Sequence, residues 1–197
     1  MLLLQYKLKE NRKKYKPLRY IIMESKFCKL DRILAPFDKK IERKLKDIKN
    51  LFMDEEKAEE LDQDTTIYEV YEMENFDINC ALTLLYPGKV GREYFMTKGH
   101  YHEKEEGEIY YCIGGEGILL MRTREGEIKH IKLEKGIIAY VPPEHAHRVV
   151  NTGNEILSFL AFYSKDAGHD YETIEKEGFG AVVMEGEGKP VIRKVKG

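Results

Sequence analysis

The chain has 197 residues, of which 42% are hydrophobic and 35% charged, and its formal net charge is −2. That length suits one domain with an appendage and a substantial core, while the near-zero net charge names no partner by itself. No stretch approaches the roughly 20 apolar residues of a membrane span, and the opening apolar run is short and precedes its basic residues, unlike a signal peptide. The expectation is a soluble, cytoplasmic protein without a membrane partner.

Charge is unevenly spread along the chain. Residues 1–50 hold 16 Lys/Arg against 6 Asp/Glu, leaving 17 against 29 in the remainder. A basic arm of this kind suits nucleic acid or an anionic membrane. The simpler reading is a solvated helical face, or an arm resting on the acidic remainder, so no nucleic-acid partner is expected. Residues 1–22 look unlike the rest, which makes Met23 an alternative start. From 37 to 62, Ile41, Leu45, Ile48, Leu51 and Phe52 recur at helical intervals, with Asp38 and Asp54 as candidate caps. Residues 1–62 therefore read as a basic, helical N-terminal extension on or beside the main domain.

The texture changes at Asp64. TTIYEVYEME (65–74) alternates with β-branched and aromatic residues, INCALTLLYPGKVG (78–91) runs to a Pro-Gly turn, and EYFMTKGHYH (93–102) reads as a third strand. Several more follow, punctuated by Gly-Gly, Glu-Gly and Lys-Gly turns, and a short helix with a closing strand pair ends the chain. Many short strands at regular spacing indicate an antiparallel sandwich or barrel over residues 63–197. Cys28, Cys80 and Cys112 are odd in number and contain no CxxC pair, as expected of structural thiols in a reducing compartment.

His100 and His102 share a face if their segment is a strand, so the pair offers two ligands to one metal ion. The alternative is a charged hairpin with two surface histidines. GIIAYVPPEHAHRVVNTG offers a second such pair, His145 and His147, and parity does not choose between them. Glu103, Glu105 and Glu106 sit in a polar turn. Glu108 opens the apolar run EIYYCI and shares parity with Tyr110 and Cys112. Three histidines and one carboxylate form a mixed nitrogen/oxygen set suited to Fe, Mn, Ni, Co or Zn.

These residues resemble the two cupin motifs. The first reads His100-x-His102, five residues, Glu108, six residues, Gly115. The second reads Gly136, five residues, Pro142-x-Glu144, two residues, His147, three residues, Asn151, with Glu144 in place of the middle glycine. The second motif selects His147 over His145. Together they imply a mainly β fold, the cupin double-stranded β-helix (jelly-roll) barrel, with one divalent metal per subunit held by His100, His102, Glu108 and His147. YEVY, LTLLYPGKVGREYFMTKGHYH, VPPEHAHRVVN and DAGHDYETIEKEGF further resemble the archaeal cupin-type phosphoglucose isomerases, from about Tyr68 to Val183.

That resemblance implies a metal-dependent aldose–ketose isomerase of glycolysis and gluconeogenesis, interconverting glucose 6-phosphate and fructose 6-phosphate. It implies Fe(2+) as the first choice of metal and a homodimer as the assembly. Carried over by position, Thr83, Thr97, Gly99 and Tyr110 hold the substrate phosphate with Tyr68 nearby, while His169 and Tyr171 close over the sugar as catalytic groups beside Glu108. The loop between His102 and Glu108 departs from the isomerase pattern by about one residue. Two other functions remain open to a cupin: a metal-dependent dioxygenase, and a non-enzymatic phosphosugar-binding protein.

Overall fold

The computed structural model describes residues 37–74 and 76–195; the basic arm, Cys28 and the alternative start at Met23 lie outside the described residues. Strand β1 (Lys39–Lys44) leads into two short helices, α1 (Leu45–Ile48) and α2 (Glu55–Glu60), joined through a 3₁₀ turn. Asp54 caps α2 as expected, accepting from the Lys57 amide at 3.1 Å. The helical reading of the residues before Leu45 is corrected: β1 pairs antiparallel with β2 (Thr66–Met73), and Asp38 accepts the Glu74 amide rather than capping a helix. One turn of helical spacing carries little weight against a ladder of six paired residues. Lys39, Lys40 and Lys44 line this edge strand, a charge pattern that blunts edge-to-edge pairing.

The expected strand at 65–74 is present as β2, and β3 (Ile78–Leu85) follows. The Pro-Gly turn leads into the short β4 (Lys89–Val90) and β5 (Glu93–Tyr94). The chain then continues through β6 (Glu108–Gly114), β7 (Glu116–Arg122), β8 (Ile128–Glu134), β9 (Ile138–Val141), β10 (Ala146–Asn151) and β11 (Leu157–Ser164). Helix α3 (Glu172–Glu177) and the pair β12 (Ala181–Glu185) and β13 (Pro190–Lys194) complete it, as the tail predicted. Among the described residues no helix is long and apolar enough to cross a membrane.

Three sheets result, ordered β1-β2-β3-β11-β6-β9, β10-β7-β8 and β13-β12-β5-β4. Their inner faces enclose a core that includes Leu85, Met96, Cys112, Leu119, Leu133, Val149 and Leu157, giving the jelly-roll barrel of the cupin type. Register explains which side chains face inward. Val70 stands opposite Thr83, Thr83 opposite Phe159 and Phe159 opposite Cys112, so one row of four strands presents a single face. Gly115, at the end of the first motif, has φ +80°, and a Cβ there would approach the Ile156 carbonyl oxygen at 2.6 Å. Only glycine fits that turn.

One strand prediction is corrected. Residues 93–102 are not a continuous strand. After β5 they run extended with isolated bridges, Met96 to Val150 and His100 to His147. The ladder ends at Tyr94, and further on Gly99 has φ +79°, where a Cβ would meet Arg148 and the His147 carbonyl oxygen at 3.2 Å. Left-handed backbone at this point suits glycine, which has no Cβ to strain it.

Candidate metal centre

His100 and His147 face each other across a bridge in which each backbone amide donates to the other's carbonyl, at 3.3 and 3.0 Å. Two residues on, His102 closes the same side, and β6 carries Glu108 in from the opposite wall. Ligand atoms of His100, His102, Glu108 and His147 all lie within 4.8 Å of one another. The Glu108 carboxylate is 2.9 Å from the His147 Nε2 and 3.3 Å from the His102 Nε2. These approaches are close without being aligned as hydrogen bonds. The inward atoms (Nε2 of each histidine and Oε2 of Glu108) are buried without a hydrogen-bond partner. Four unsatisfied polar atoms converging in a buried place carry a large desolvation cost, and a cation at their centre removes it.

The far sides of two of the three rings support this. The Nδ1 of His102 lies 2.8 Å from the Glu106 carbonyl oxygen, and that of His147 lies 3.3 Å from the His145 carbonyl oxygen. Donation of Nδ1–H to a backbone carbonyl leaves Nε2 as the lone-pair nitrogen turned inward, the arrangement found around metal-ligating histidines. The competing residues thus contribute backbone: Glu106 and His145 each supply a carbonyl, while Glu103 and Glu105 are exposed. The donor set, borderline nitrogen with hard oxygen, fits a divalent transition metal. Burial opposes ionisation of Glu108, but the adjacent imidazoles outweigh it and hold its carboxyl down to about 2. Burial, reinforced by the neighbouring histidines, lowers His100 well below the usual imidazole value.

A cavity opens from this centre, lined by Tyr68, Thr83, Thr97, Gly99, Tyr110, His169 and Tyr171 together with the metal-centre residues His100, Glu108 and His147. Every residue singled out for substrate contact therefore lines the same space; His102 completes the ligand group from behind. Thr97 accepts the Val149 amide at 3.0 Å, which fixes its hydroxyl and leaves the O–H free to donate. Burial raises Tyr110 well above the usual phenol value, as does the neighbouring Glu108 charge. The His169 ring stacks on Tyr171 at 5.7 Å between centroids and 8° between planes, and it stands 4.5 Å from the His100 ring. Burial lowers the His169 pKa and pushes Tyr171 up to about 12.

Sequence reasoning missed three polar lining residues, Arg43, Glu72 and Tyr163. Tyr163 and Glu72 share inward parity with Phe159 and Tyr68 in their strands, a signal that was available. Arg43 had none, because its segment reads as a helix. Asn151, the last residue of the second motif, has a structural role: its side-chain amide donates to the Leu85 and Glu155 carbonyls at 2.8 Å each, and its oxygen accepts from Gly153. Glu144, where the motif has glycine, has φ +58°.

Comparison with known proteins gives a concordant result. The family model described as glucose-6-phosphate isomerase (GPI) matches residues 42–196. The glucose-6-phosphate isomerase of Pyrococcus abyssi is 50% identical over 163 residues, covering 79% of this chain and 86% of that protein. That of Thermococcus litoralis is 49% identical over 162 residues, covering 79% and 85%. That of the bacterium Sinorhizobium medicae is 38% identical over 157 residues, covering 75% and 73%. Among solved structures, an oxalate decarboxylase of Bacillus subtilis is 28% identical with a TM-score of 0.44, covering 50% of this chain and 26% of that longer one.

Proposed function

The chain belongs to the glucose-6-phosphate isomerase family, and we propose that it interconverts glucose 6-phosphate and fructose 6-phosphate at this cavity, with His100, His102, Glu108 and His147 holding one divalent metal ion. The observation that carries this reading is the set of four buried, unpartnered ligand atoms opening onto a hydroxyl-lined cavity. A metal there supplies Lewis-acid stabilisation of the negative charge that develops on the substrate oxygens. Fe(2+) is the proposed ion, from the resemblance to the archaeal enzymes, and the donor set also accepts Mn, Ni, Co or Zn.

The remaining roles belong to the protein's own side chains. Thr83, Thr97, Tyr68 and Tyr110 offer hydroxyls, and Gly99 a backbone amide, for the phosphate and sugar oxygens. A carboxylate that ligates a metal ion is a weaker proton acceptor than a free one, which favours transfer of the C2 hydrogen to C1 as hydride over its removal by Glu108. The proton leaving the C2 hydroxyl must then reach O1. His169, kept neutral at pH 7 by burial, and Tyr171, kept protonated, are placed at the cavity to carry it.

We also propose a cytoplasmic homodimer. Ile109 pairs with Tyr140 and Tyr111 with Ile138 on the outer face of β6 and β9, and all four are 40–70% exposed. An apolar patch beside an edge strand suits a second copy of the chain, and Ile138→Glu is expected to give a monomer by sedimentation.

An isomerase assay on metal-stripped protein tests the central reading. Added Fe²⁺ or Mn²⁺ is expected to restore fructose 6-phosphate formation from glucose 6-phosphate, and deuterium at C2 to be retained in the product. No turnover with any metal, despite confirmed metal binding, would overturn the isomerase reading; loss of the deuterium to solvent would overturn the hydride route alone.

A further inference from the structure

The cavity has a charged residue that no motif explains. β1 carries three lysines besides Arg43, and all three are committed to acids. Lys39 pairs with Glu72 at 2.8 Å, Lys40 with Glu69 at 2.6 Å and Lys44 with Asp64 at 3.1 Å. Arg43, half-buried and lining the cavity, has no ion-pair partner among the described residues. The other cation at the wall, Lys98, is held by Glu175 at 2.5 Å and lies over the Tyr171 ring, 4.7 Å from its centroid. The nearby Arg148 is turned away, donating to the Lys98 carbonyl at 2.6 and 3.2 Å.

Register places Arg43 at one end of the space. It stands opposite Tyr68 in the β1–β2 pair, so the two side chains share the inner face. Glu108 lies four strands away across the order β1-β2-β3-β11-β6, at a strand spacing of about 4.8 Å. The cavity thus has the candidate metal centre at one pole and, at the other, a guanidinium with no acid paired to it among the described residues. An aldose 6-phosphate has the same polarity, with reacting oxygens on C1 and C2 and a dianion on C6. Hydroxyls and an amide alone leave that dianion uncompensated in a partly desolvated space. A guanidinium offers planar, two-pronged donation that matches phosphate.

We infer that Arg43 is the cationic anchor of the substrate phosphate, so that the strand preceding the cupin motifs, and not the barrel alone, selects phosphorylated sugars. This rests on the isomerase reading above. The test uses metal-loaded full-length protein and Arg43→Gln, with glucitol 6-phosphate as a probe that carries the phosphate but has no carbonyl to isomerise. Calorimetric affinity for the probe is expected to fall about tenfold or more, and KM for fructose 6-phosphate to rise similarly while kcat stays within about threefold. Metal content and melting temperature are expected to be unchanged, and Arg43→Lys to recover part of the affinity. Probe affinity within twofold of wild type in Arg43→Gln would overturn the inference, as would a loss of kcat without a change in KM. A wild-type protein that neither turns over phosphosugar nor binds the probe would overturn the isomerase reading itself, whereas wild-type turnover with an indifferent Arg43→Gln variant overturns only the role of Arg43.

Discussion

The two poles of the cavity are built in different ways. The metal pole draws on two compact motifs, and its imidazoles His102 and His147 are oriented by backbone carbonyls four and two residues away, those of Glu106 and His145. The far pole gathers Arg43, Tyr68, Thr83 and Thr97 from four separate segments whose only relation is strand register and one bridge. A metal demands donors fixed to a few tenths of an ångström, which short-range geometry supplies. An anion pocket tolerates looser placement, so distant strands can furnish it.

The strongest way to break the contrast is at the metal pole. His147→Ala removes one of the four candidate ligands and the carboxylate's nearest imidazole. Metal content measured after dialysis is expected to collapse, and activity to fall about a thousandfold or more. Retained stoichiometric metal would show that the other three residues suffice.

The seam between the poles is Arg148, which follows His147 directly, braces the Lys98 carbonyl beside Gly99 and packs on Phe179. Arg148→Met leaves that carbonyl and the buried Glu93 without the guanidinium. Denaturant unfolding is expected to show a loss of about 2–4 kcal/mol, accompanied by a raised KM. Unaltered KM in a destabilised variant would assign Arg148 to packing alone.

Glu93 sharpens the comparison without touching either pole. It is 2% exposed, accepts the Met53 amide at 2.8 Å and has a second oxygen without a partner. Burial pushes its carboxyl up to about 7, with the Met53 amide and Arg148 pulling the other way. Folding therefore favours the protonated form. That contribution is complete below the unfolded value near 4.5 and is lost as pH rises through about 7. Glu93→Gln cannot ionise, so its stability relative to wild type is expected to improve between pH 5 and 8, by about 1–3 kcal/mol. A pH-independent difference would show that Glu93 is ionised throughout.

The smallest effect is expected at Glu144, where a side chain occupies left-handed backbone. Glu144→Gly relieves that strain against the greater chain entropy of glycine, a net gain of about 1 kcal/mol or less. Activity is expected to be unchanged, since Glu144 does not line the cavity.

Much of this protein was legible in the residues alone. An antiparallel sandwich or barrel followed from alternating strands and turn residues, because the side-chain period of a strand is set by local backbone geometry, and the resemblance to the cupin motifs implied the barrel. The four candidate ligands were named from the resemblance to the cupin motifs, and Glu108 rather than Glu106 stands beside the histidines because it begins a paired strand with its carboxylate inward. What only the tertiary structure decided was the fate of segments whose local signal was weak or divided. Lys39–Lys44 became a strand because β2 offered a free edge, and that pairing alone brought Arg43 to the cavity. The run 93–102 left its ladder after Tyr94, and its left-handed residue, Gly99, packs closely under Arg148 and the His147 carbonyl. Local periodicity reports what a segment can do in isolation; which neighbour satisfies its backbone, and which cavity its side chains then reach, is settled by contacts distant in sequence.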